Sequence, residues 1–105
     1  TSDRAELRAT IGALQHGFWY ELGFNNVVIA SSSDYLVLGI TLWIKNWRAH
    51  GWRDASGTVI ENQDLWKVLL CEISRYSHMG TNVLFWKISD DENTEARVAA
   101  TSAAY

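Results

Sequence analysis

The chain of 105 residues has no proline, one cysteine, one methionine and fewer basic than acidic residues, nine against twelve, for a net charge of −3. A single cysteine excludes a disulfide within the chain. Cys71 falls in a helical apolar pattern, which predicts a buried packing residue and favours a reducing, intracellular setting. The lack of proline and of low-complexity runs, with 48% hydrophobic residues, excludes a disordered tail and predicts one compact domain over residues 1–105. No uninterrupted apolar run of about 18 residues is present, nor a charged-then-apolar start, so neither a spanning helix nor a signal peptide is expected, and no membrane partner. Internal repeats and zinc-type spacings are also missing. His16, His50 and His78 are scattered, as surface or satisfied residues are. The shortage of positive charge argues against an extended basic face of the kind nucleic-acid binders carry.

What the chain does hold is concentrated in residues 39–66, where Trp43, Trp47, Trp52 and Trp66 occur among Lys45, Arg48 and Arg53. From 43 to 53 there is no acidic residue, so three of the nine basic residues form a local basic handle on an acidic body. Trp43 and Trp47 stand four apart. On composition alone they would be read as the apolar side of a packed helix. The alternative is an aromatic and basic surface that holds nucleic acid, with Trp43, Lys45, Asn46, Trp47, Arg48, Trp52 and Arg53 as its candidates. Three phosphate contacts give a salt slope of only about −2.7 on duplex DNA, which is weak capture.

The order of these residues resembles the helix and basic handle of the ribonuclease H family, whose pattern is Ile-Thr-x-Trp-Ile-x-Asn-Trp-x-x-x-Gly-Trp followed by Asn-x-Asp-Leu-Trp. Here it is Ile40, Thr41, Trp43, Ile44, Asn46, Trp47, Gly51 and Trp52, then Asn62, Asp64, Leu65 and Trp66. The resemblance extends to Asp3, Arg4, Ala5, Glu6 and Leu7 at the first helix, and to Ser33, Asp34 and Tyr35 in a turn. It continues with Phe85, Trp86 and Lys87 in the last strand, then Asn93, Thr94, Glu95 and Ala96 in the last helix. It implies a domain about half as long again, in which three antiparallel strands precede the first helix. The expected fold class is therefore α/β: a partial ribonuclease H-like fold without those strands, covering the C-terminal two-thirds of the family domain.

The resemblance also implies an activity, hydrolysis of the RNA strand of an RNA:DNA hybrid by two divalent ions about 4 Å apart. Mg²⁺ requires hard carboxylate oxygens in near-octahedral geometry, and the family supplies four. One belongs to the strands before this chain. Glu6 matches the second. Ser32 stands in place of the third, and Arg97 in place of the fourth. A guanidinium 4 to 5 Å from a divalent ion is repelled by roughly 7 kcal/mol at an effective dielectric near 20. Asp34 lies two residues past Ser32 and is expected to point elsewhere. The histidine that assists product release in many members has no counterpart between Trp86 and Asn93, and a family-typical lysine before Asn62 is Glu61. Neither a metal nor another cofactor is expected, Mg²⁺ belonging only to the alternative of an active nuclease completed by an upstream segment. Glu6, three residues after Asp3, fits a capping box, and Arg97 could serve as its replacement counter-ion.

Periodicity predicts a helix over about 3–22 with Leu7, Ile11, Leu14, Phe18 and Leu22 on one stripe. A short buried strand follows at Val27, Val28, Ile29 and Ala30, then two helices over about 33–50 and a loop at 53–57. A helix over about 62–77 would turn Leu65, Val68, Leu69, Ile73 and Tyr76 inward, ending at His78, Met79 and Gly80. A second buried strand at 83–86 and an alanine-rich helix from about 91 complete a pattern of two parallel strands with about five helices. The first strand would then have an open edge, so a homodimer or higher oligomer, a strand from another protein chain, or an upstream segment is expected to cover it. The functional expectation is a catalytically inactive domain that acts by binding a protein, or RNA:DNA hybrid or RNA weakly. A structural assembly block is a further alternative.

Overall fold

A computed structural model of the chain describes residues 2–17, 19–89 and 97–101. Helix α1 (Ser2–Gly17) leads through a short 3₁₀ turn (Trp19–Leu22) to strand β1 (Asn26–Ser31). A helical run follows, made of α2 (Asp34–Leu38), a π-helical turn (Gly39–Trp43) and α3 (Ile44–Ala49). Then come α4 (Gln63–His78), β2 (Asn82–Lys87) and β3 (Arg97–Thr101). The α/β class and the parallel pair are as expected: β1 and β2 run side by side from Asn26 opposite Asn82 to Ser31 opposite Lys87. The run of hydrophobic residues in β1 is buried, and Val27 and Ile29 share one core cluster with side chains of α1 and α4.

The third strand is a correction. Residues 97–101 were expected in a helix, yet they pair antiparallel with β1, Ala30 opposite Arg97 and Asn26 opposite Thr101. Alanine's helix propensity is a few tenths of a kcal/mol per residue, which is a weak preference beside a ladder against a buried strand. The rest of that predicted helix lies outside the described residues. The sheet order is β2-β1-β3, so the edge of β1 that was expected to await a partner is covered by the chain itself.

The core is Leu7, Ile11 and Leu14 of α1, Val27 and Ile29 of β1, Leu36, Ile44, and Trp66, Leu69 and Tyr76 of α4. Tyr76 is fully buried, and its hydroxyl donates to the Leu14 carbonyl at 2.6 Å, which satisfies the polar atom that burial would otherwise strand. Several inward expectations fail for a simple reason of phase. Helix α1 stops at Gly17, so its stripe does not reach Leu22, which is exposed; Phe18 lies outside the described residues. In α4 the buried positions are 66, 69 and 76, and Val68 and Cys71 each sit two residues past one, about 200° around the helix, and are exposed. Strand β2 is half-buried rather than buried, with Trp86 50% exposed. Two expected helices over 33–50 are one run that the π turn widens at Gly39. This glycine is buried against Trp66, and a Cβ there would overlap the indole ring.

Candidate nucleic-acid interface and carboxylate site

The aromatic residues form a connected row rather than a surface of independent rings. Tyr35 lies 5.4 Å from Trp66 and 6.5 Å from Trp43, centroid to centroid; Trp43 is 6.0 Å from Trp47, and Trp47 is 6.4 Å from Trp52 and 5.5 Å from Trp66. Such tilted and edge-on contacts suit ring quadrupoles. Trp66 is fully buried and anchors the row. Trp47 and Trp52 are half-buried, while Trp43, Lys45, Asn46, Arg48 and Arg53 are exposed. The packed-helix reading therefore holds in part for Trp47, while Trp43 and the basic side chains lie at the surface.

The turn after α3 is shaped by two consecutive left-handed residues, Gly51 at φ 66° and Trp52 at φ 63°. A bulky residue in that region is strained. Backbone hydrogen bonds hold Trp52 there, its N–H donating to the Trp47 carbonyl at 2.6 Å and its carbonyl accepting from Ile60 at 2.9 Å. The loop beyond is pinned by Asp54. One carboxylate oxygen accepts from the Ser56 hydroxyl at 2.7 Å and from the amides of Ser56 and Thr58 at 2.9 and 3.0 Å, and these bonds, the Ser56 hydroxyl first, hold its pKa below the usual carboxylate value. Arg53 donates to the Gly57 carbonyl at 2.9 Å.

Behind the row a polar clamp joins α1, α2 and α4. Arg4 donates to both oxygens of Asp64, at 3.1 and 2.7 Å, and to the Asn62 side-chain carbonyl at 3.1 Å. Asn62 and Trp66 in turn donate to the Tyr35 hydroxyl at 3.2 and 3.1 Å. The Arg4 hydrogen bond lowers the Asp64 pKa to about 2. Nothing in the local pattern flagged this cluster as a unit, since Arg4 and Asp64 are 60 positions apart. The recurrence of Asn62, Asp64 and Trp66 in one short string was the available signal.

Glu6 is half-buried on α1 and does not reach back to cap the helix. Helix α1 begins at Ser2, which leaves Asp3 inside the first turn, and Glu6 accepts from the Ser31 hydroxyl at 2.7 Å instead. Ser31 is fully buried at the end of β1, and its oxygen also accepts the Ser33 amide at 3.0 Å, while Ser33 caps α2 by accepting from Leu36 at 3.1 Å. Sequence reasoning singled out Ser32; it is Ser31 that meets Glu6. Asp34 is turned to Lys87, 3.7 Å away. Arg97 lies in β3 opposite Ala30.

The family model for RNase H matches residues 1–104. The chain belongs to the ribonuclease H family. The ribonuclease H of Cyanothece sp. (strain PCC 7425 / ATCC 29141) is 41% identical over 69 residues, covering 66% of this chain and 43% of that protein. That of Vibrio vulnificus (strain YJ016) is 39% identical over 77 residues, 73% and 47%. That of Rickettsia canadensis (strain McKiel) is 31% identical over 105 residues, 99% and 61%. The chain spans about half the length of the relatives it matches.

Among the described residues no three His, Cys, Asp or Glu side chains gather to hold an ion, and the Glu6 carboxylate accepts from the Ser31 hydroxyl.

Proposed function

We propose that this ribonuclease H-like domain binds RNA:DNA hybrid through its handle and does not hydrolyse it with its own acids. The observation that carries the reading is the pairing of Glu6 with Ser31 at 2.7 Å, in a place where two-ion chemistry calls for converging carboxylates. Exposed Trp43 offers a π-face to a base or sugar, and Lys45 and Arg48 offer charge to phosphates. Binding is weak and only modestly salt-dependent, because few cations take part. An anisotropy titration of labelled RNA:DNA hybrid at low and moderate salt tests the reading. Saturable binding that weakens with salt supports it; no binding at low salt contradicts it.

A second reading, an active nuclease completed by a further segment, is favoured by the names of the relatives and by the share of their length that this chain spans. A second copy or another protein chain as partner is a further proposal, although the β1 edge for which it was expected is paired with β3.

A further inference from the structure

Two grooves flank the handle, and their chemistry differs. On one side Asn46, His50, Arg53 and Asp54 border a cleft of about 310 Å³. On the other, Arg48, Trp52, Lys67, Ser74 and Ser77 border a larger one of about 680 Å³ between the handle and α4. Lys45 and Arg48, three apart on a helix, share a side, so the cations of the handle are divided between the two flanks.

The first groove is poorly suited to a phosphate. The Asp54 carboxylate is kept ionised by its three hydrogen bonds, and it stands beside an Arg53 already donating to the Gly57 carbonyl. The second groove has two cations and no carboxylate in its lining. Arg48 makes no ion pair or hydrogen bond with a described side chain. Lys67 is steadied over the Trp52 ring at 5.4 Å, an exposed cation–π contact of about 0.5–1 kcal/mol that a phosphate can outcompete. Lys67, Ser74 and Ser77 are exposed and spaced seven and ten residues apart along α4, a track of roughly 15 Å. Its hydroxyls can donate to phosphate oxygens.

We propose that the strand bound at the handle runs over the Lys45 and Arg48 flank and onto α4, where Lys67, Ser74 and Ser77 receive its phosphates, rather than over the Asn46 and Arg53 flank. This rests on the hybrid-binding reading above and adds the path and the second helix that carries it. A short anion alone would not need the track; a phosphodiester chain leaving Trp52 follows it.

The test is the salt dependence of hybrid binding by the whole chain, read by anisotropy, for the wild type and for Lys67→Gln, Lys67→Arg, Ser77→Glu, Arg53→Gln and Arg8→Gln, the last removing an exposed charge from α1. Lys67→Gln should reduce the slope of log affinity against log salt by about one. Lys67→Arg should restore it, and Ser77→Glu should weaken binding several-fold. Arg53→Gln should cost less slope than Lys67→Gln, and Arg8→Gln less again. If Lys67→Gln keeps the wild-type slope while Arg53→Gln loses about one, the path is wrong and hybrid binding survives. If the wild type does not bind at low salt, both fall. All variants change exposed side chains, and matching thermal unfolding curves establish that each is folded.

Discussion

The Ser31 hydroxyl donates to the Glu6 carboxylate at 2.7 Å, joining the end of β1 to the first helix through a serine with no exposed surface. A hydrogen bond to a charged group contributes about 1.5–3 kcal/mol. Ser31→Ala should lower stability by about that amount, since it also strands the Ser33 amide at the start of α2. Urea unfolding checks it. An unchanged midpoint would mean that water serves both groups equally well.

Gly39 owes its place to Trp66. Adding one methyl in Gly39→Ala forces the indole or the π turn to move, and overpacking of this kind costs about 1–3 kcal/mol. The near-ultraviolet circular dichroism, dominated by the aromatic row, should change with it. Gly12, on α1 with open space around it, serves as the comparison, and Gly12→Ala should be neutral or stabilising.

Trp43 and Trp66 stand in the same row but do different work. Trp66→Ala removes a fully buried ring and should cost about 3–5 kcal/mol of stability. Trp43→Ala, at a side chain 38% exposed, should cost under about 1 kcal/mol of stability while weakening hybrid binding by about tenfold, the effect of losing one stacked base. Equal losses of stability in the two variants would show that Trp43 is packing alone.

The Arg4–Asp64 pair makes a pH signature. Asp64 titrates at about 2 in the folded chain against 3.8 when free, so the folded state binds its proton less readily. The contribution of the pair is complete above about pH 4 and is lost as the pH falls through about 2. Asp64→Asn should lower stability at neutral pH and make it fall less steeply between those limits, as urea midpoints across the acid range would record. Because the pair is exposed, the effect is modest.

Much of the scaffold was legible because it rests on local periodicity. The apolar run from Val27 became β1, and the inward stripe of Leu69 and Tyr76 became part of α4. The family string placed Trp43 and Arg48 on the helical run over 34–49 and Trp52 in the turn after it. What escaped depends on the assembled chain. The run Arg97, Val98, Ala99, Ala100 and Thr101 has nothing locally that demands a strand, and only an adjacent β1 edge makes it one. The division of the handle into two flanks follows from helical phase together with Asp54, which falls one residue beyond the acid-free stretch. Lys67 was invisible as a site residue because its partner, Trp52, reaches it across a loop.

The most direct measurement is a denaturing gel of labelled RNA:DNA hybrid incubated with saturating protein and Mg²⁺, alongside the anisotropy that shows it bound. The account predicts RNA of full length in samples where the hybrid is bound. Metal-dependent cleavage, abolished by Glu6→Gln, would contradict it and make Glu6 a catalytic carboxylate.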